Sequence, residues 1–125
     1  MARYREYTVA LGVVYTAVVC ADIIWEGENL ATGMIDAEFK KHKEIEEPDF
    51  RFLSEHQGFA DDEYEYKIQY SLIVRLESTS YERAKEDAVQ FIDNLEMPDG
   101  ITLDSYEEYD VTIARERAFL QRVAL

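Results

Sequence analysis

Glu38 and His42 stand four residues apart, the spacing that places two side chains on one face of a helix. A carboxylate beside an imidazole is the smallest unit for ligating a metal or moving a proton. Folding could bring His56 together with Glu46, Glu47 or Asp49 in the same way. One E-x-x-x-H pair is a weak signal in a chain with 27 acidic residues, because metal sites need further donors at set spacings. Every acid here has acidic neighbours, so no carboxylate pair stands out for general acid–base hydrolysis. The five glycines form no phosphate loop, dinucleotide fingerprint or nucleophile elbow. These residues argue against an enzyme, a resident metal or a cofactor, and a solvated helix face is the expected setting for Glu38 and His42. A small metal-dependent enzyme built on Glu38, His42 and His56 is the least favoured alternative.

Cys20, the only cysteine, lies in the charge-free run Thr8 to Ala21. It cannot form an internal disulfide, and no basic neighbour in sequence would activate its thiol. Burial in a strand is expected for it. The run follows Arg3 and Arg5, but Glu6 spoils a positive leader and Asp22 cuts the run short of the roughly 20 apolar residues of a membrane span. Without a leader, and with one thiol, the expected location is cytoplasmic.

Two acidic clusters carrying tyrosines are the most suggestive feature. Asp61, Asp62, Glu63, Tyr64, Glu65 and Tyr66 open one strand, and Asp104, Tyr106, Glu107, Glu108, Tyr109 and Asp110 occupy another. Carboxylates on a stiff element can dock on lysines and arginines, and tyrosines add contact area at little entropic cost. Overall, 27 acids face 13 bases for a net charge of −14. Such a field repels phosphate, so nucleic acid and anionic membrane are poor partners and a basic protein surface is a good one. A sheet that reads RNA would need lysine and arginine between its aromatics, whereas the neighbours here are acids.

The elements that must position these groups follow from periodicity. Residues 4–21 form a first strand with Tyr7, Val9, Leu11, Val13, Tyr15, Ala17 and Val19 on one side and small or apolar residues on the other. A strand apolar on both faces belongs in the middle of a sheet or under a second layer. Residues 22–43 turn helical, with a stripe through Leu30, Met34, Ala37 and Lys41 and with Ile23, Trp25, Ile35 and Phe39 nearby, although Gly27 and Gly33 weaken the start and a meander with 22–43 partly irregular is the alternative. Glu44 to Asp49 reads as an acidic break, Phe50 to Leu53 as a short strand and Gln57 to Asp62 as a turn. Tyr64 to Leu76 alternates strictly. Ser80 is a helix N-cap ahead of Ala84, Ala88, Phe91, Ile92 and Leu95, and Met97-Pro98-Asp99-Gly100 ends that helix. Leu103, Tyr106, Tyr109, Val111 and Ile113 mark a last strand, and Arg115 to Leu125 a short terminal helix.

The order predicts one α+β domain over residues 1–125. The fold class is a ferredoxin-like split βαβ sandwich (β-α-β-β-α-β), an antiparallel sheet with two helices on one face. The functional expectation is a non-enzymatic acidic interaction protein. Its sharpest form is a stoichiometric inhibitor or DNA mimic on the basic surface of a nucleic-acid-handling protein, of the anti-CRISPR or anti-restriction type. A phage origin would suit such a chain. The alternative is a dimerising structural or assembly accessory protein, viral or bacterial, because the two-sided first strand leaves a face to cover.

Overall fold

The computed structural model describes residues 4–113. Its elements run β1 (Arg5–Cys20), α1 (Ile24–Lys40), β2 (Ile45–Gln57), β3 (Glu63–Ser78), α2 (Tyr81–Asp93) and β4 (Ile101–Ile113). The strands form one sheet in the order β2-β3-β1-β4, and every neighbouring pair is antiparallel. Each helix therefore links two strands that run parallel with a third inserted between them.

The alternation of β1 and β3 has a direct cause in their pairing. Arg5 opposite Ser78 through Cys20 opposite Glu63 is an unbroken register. It sets Val9 against Val74, Leu11 against Leu72 and Tyr15 against Ile68 on one face. Ala31, Ile35 and Phe39 of α1 and Ala84, Ala88 and Ile92 of α2 complete one core cluster with that face. Apolar burial there supplies the main driving force, at about 25 cal/mol per Å². The opposite face, with Thr8, Ala10, Gly12, Val14, Thr16 and Val18 along β1, has no covering layer among the described residues. The apolar second face of β1 accords with its central place in the sheet.

Several local expectations change. Cys20 is exposed, because its position in the alternation points it to the open face at the end of β1. Helix α1 turns Gly27, Ala31, Thr32, Ile35, Glu38 and Phe39 inward, so Leu30 and Trp25 are exposed and the stripe through Leu30 is out of phase. Glycine at 27 is a packing requirement: a Cβ there would overlap the Tyr66 hydroxyl, which donates to the Ile24 carbonyl. The acidic break is the first part of β2, a 13-residue edge strand that absorbs Pro48 in an irregularity between Glu46 and Asp49. Helix α2 begins as its sequence suggests, with the Ser80 hydroxyl accepting from the Arg83 amide at 3.1 Å. The terminal helix expected over 115–125 lies outside the described residues.

Candidate functional site

Strand β4 is an edge strand whose spacing is broken twice. Its register against β1 shifts between Val14 and Tyr15 and again between Ala10 and Leu11, which leaves Asp104 and Tyr109 as extra residues. The first bulge explains why Leu103 and Tyr106, three apart, sit opposite Tyr15 and Val13 on the helix-covered side. The second sends Tyr109 across the open face, where its ring lies over Gly12 and its hydroxyl is 3.4 Å from the Gln69 side-chain amide. A Cβ at residue 12 would overlap that ring, so Gly12 is the floor on which Tyr109 rests. Tyr106 and Tyr109 remain 48% and 52% exposed, enough to offer ring surface to a partner.

Glu107, Glu108 and Asp110 are exposed on the same strand, and none has an ion-pair partner among the described residues. Glu107 stands opposite Gly12 and Asp110 opposite Ala10, on the open face, whereas Glu108 is opposite Leu11 on the other side. Asp104 is engaged internally, accepting from the Thr16 hydroxyl and lying 3.9 Å from Lys67 Nζ. The bases on the open sheet are similarly held. Arg75 bridges Glu6 and Glu46 at 3.1 Å each, His56 faces Glu65 at 3.4 Å, and Arg51 donates to Gln69 at 2.8 Å.

The cluster at 61–66 divides. Asp61 and Asp62 are exposed on the β2–β3 turn, where their backbone carbonyls serve structure: Gln57 bonds that of Asp61 and Ala21 that of Asp62. The Glu63 carboxylate is turned back onto the same hairpin, accepting from the Phe59 amide at 3.1 Å. Tyr66 is fully buried and belongs to the scaffold, and Tyr64 packs partly buried against the core. Their places in the β3 alternation made this inevitable, since they share the face of Ile68 and Leu72. Burial, with the Glu55 and Glu28 charges adding to it, pushes the Tyr66 phenol up to about 12. The far ends of the two clusters stand well apart, since Glu107 is opposite Gly12 and Asp62 is bonded to Ala21, about 30 Å along β1 at ~3.3 Å per residue, while the near ends approach, with Asp104 on Thr16 and Glu65 opposite Val18.

Glu38 is not on a solvated face. It is 4% exposed and receives Lys41 Nζ at 3.1 Å, His42 Nε2 at 3.3 Å and the Glu96 amide at 3.2 Å. Burial alone would raise its carboxyl, but those donors outweigh burial and hold it below the usual range. The arrangement ties the end of α1 to the segment after α2. His56 lies on the open face of the sheet with Glu65, so folding does not bring it to Glu46, Glu47 or Asp49 as partners. Among the described residues no group of three or more His, Cys, Asp or Glu is placed to hold a metal ion. Two features escaped sequence reasoning. Among the described residues the buried Tyr15 and Tyr70 hydroxyls have no partner at full hydrogen-bond geometry, and burial raises both phenols, with the Asp36 charge adding to it at Tyr70. Glu55 is raised by desolvation and by the Glu28 carboxylate, a like-charge contact between β2 and α1 that only tertiary structure creates.

No helix of the described residues is long and apolar enough to cross a membrane. Compared with known proteins, the chain matches no family model, no curated protein and no solved structure.

Proposed function

We propose that this chain is a non-enzymatic interaction protein that docks a basic protein surface on strand β4. One observation carries the reading. The bases on the sheet's open face (Arg51, His56, Lys67 and Arg75) are each engaged by the chain's own acids or amides, while Glu107, Glu108 and Asp110 stand exposed beside two half-exposed tyrosines with no ion pair among the described residues. Carboxylates without an ion-pair partner can receive an incoming lysine or arginine. The sharpest form is a stoichiometric inhibitor of a nucleic-acid-handling protein, of the anti-CRISPR or anti-restriction type, with carboxylates taking the place of phosphates. We take the scaffold as a ferredoxin-like split βαβ sandwich, on the strength of the strand order and of two crossovers that each skip one strand. Both edge strands carry register shifts, which disfavours docking by strand addition and leaves recognition to side chains.

The test is binding of the full chain to a panel of purified basic nucleic-acid-binding enzymes, with duplex DNA as competitor. Binding that falls steeply with salt, is displaced by DNA, and is lost when Glu107, Glu108 and Asp110 are all changed to lysine is the expected outcome. Binding unaffected by the triple reversal overturns the reading. A second reading, a homodimer through the open sheet face, is favoured by the lack of a covering layer there among the described residues. It is opposed by charge, because two copies would bring two surfaces of a −14 chain together. Sedimentation over a range of concentrations separates the two.

A further inference from the structure

Thr8, Ala10, Ile73, Asp110 and Thr112 enclose a recess of about 90 Å³ on the open face of the sheet. Sites for cofactors and metabolites run to roughly 300–1,000 Å³, so this one has room for a single side chain. Its chemistry is two-part. Ala10 and Ile73, adjacent in the β1–β3 register, make an apolar floor, and the Asp110 carboxylate and the Thr8 and Thr112 hydroxyls stand on the β1–β4 side. The two hydroxyls bond each other, and Asp110 Oδ1 accepts from the Val111 amide at 2.9 Å. That leaves Oδ2 as the outward acceptor, with the hydroxyl lone pairs beside it. The base nearest in register, Arg75 opposite Thr8, is already held by Glu6 and Glu46.

We infer that this recess is the subsite for one lysine side chain of the basic partner, an inference that rests on the proposed function and gives it a position. A lysine stem is apolar and its ammonium carries three donors. The stem suits the floor of Ala10 and Ile73, and the ammonium suits one carboxylate oxygen with two hydroxyls. Arginine fits less well, because its planar fork seeks both carboxylate oxygens and one is in use. A single carboxylate is too few for a divalent cation. Tyr109, next in sequence to Asp110 and lying over Gly12, flanks the subsite and offers its ring to the residues around that lysine.

The experiment is a titration of the full chain with N-acetyl-lysine methylamide at low salt, followed by amide chemical shifts, with the norleucine and arginine analogues as controls. Shifts concentrated at Thr8, Ala10, Ile73, Asp110 and Thr112 are expected for lysine, weaker for arginine and absent for norleucine. Asp110→Asn is expected to weaken binding about tenfold, the loss typical of one charge-assisted contact. Ala10→Leu, which fills the recess while pointing away from the core, is expected to abolish the local shifts with the spectrum otherwise preserved. Shifts spread over Glu107 and Glu108 but absent from the recess would overturn this inference and leave the basic-partner reading standing. No shift anywhere on β4 would overturn both. An equal response to norleucine, or concentration-dependent broadening of this face showing that a second copy covers it, would overturn the lysine assignment.

Discussion

Glu38 illustrates how a residue that looks catalytic can be structural. Its three donors come from Lys41 and His42, just past the end of its own helix, and from the segment after α2, so it fastens two parts of the chain that sequence keeps 58 residues apart. Glu38→Ala is expected to cost about 2 kcal/mol, since it strands donors gathered around a buried charge. Its pH signature has a definite sign. The native carboxyl lies below its ordinary value, so its contribution is complete above the unfolded value and disappears as pH falls through the lowered native one. Chemical denaturation between neutral and acidic pH should show the parent losing more stability than Glu38→Ala. Equal acid sensitivity of the two proteins would contradict the assignment. Gly27 offers a second case. Intrinsic helix preference alone would make Gly27→Ala stabilising by about 1 kcal/mol, but the methyl would meet the Tyr66 ring and hydroxyl. The substitution is expected to destabilise by roughly 1–3 kcal/mol, as overpacking does. Tyr66→Phe in the same chain should recover part of the loss in a double-mutant cycle.

At the scale of elements, α2 is the part whose sequence signals all agree. Its cap and its small buried stripe of Ala84 and Ala88 agree and the helix follows them, although it ends at Asp93 with Asn94 as C-cap, ahead of Leu95 and of the stop read at Met97-Pro98. Ser80→Ala is expected to cost about 1 kcal/mol by denaturation, because the Arg83 amide loses its acceptor. Strands β1 and β3 were equally legible, since an unbroken register keeps period two intact over its whole length. Legibility failed where tertiary contacts overrule period. Helix α1 has no side-chain cap, and it exposes Trp25 and Leu30 while burying a glycine beside Ile35 and Phe39, so the stripe through Leu30 pointed to the wrong face. In β2, acids and a proline hid the first half of an edge strand that needs little burial and tolerates bulges. The candidate site was half legible. The acids of β4 were visible as a cluster, but their separation from Asp61 and Asp62, the burial of Tyr66 and the turn of Tyr109 onto the open face depend on register and bulges, to which composition is blind.

For the whole molecule the decisive quantity is charge, and its effects on stability and on binding oppose each other. A chain of net charge −14 repels itself more when compact than when unfolded, so its folded state is held against an electrostatic pressure. Between Glu44 and Asp110 the imbalance is sharpest, with 20 acids against five bases. Only part of it is relieved internally, through bridges such as Arg75 to Glu6 and Glu46, and the Glu28–Glu55 contact adds to it. Salt screens repulsion and attraction alike beyond about 8 Å at physiological ionic strength. Added sodium chloride is therefore expected to raise the melting temperature of the free protein, because the sum of unpaired acids exceeds the few exposed bridges that salt also weakens. The same salt is expected to weaken the complex with a basic partner, where carboxylates on β4 meet opposite charge. A thermal melt and a binding isotherm recorded over one salt series should slope in opposite directions. Glu107→Gln, Glu108→Gln and Asp110→Gln together should flatten the binding slope strongly and the melting slope only slightly, because three of many acids are removed from the first balance and the centre of the interface from the second. If both slopes flattened in proportion to the charge removed, β4 would be no more than an average part of an acidic surface, and the site would lose its claim to a particular partner.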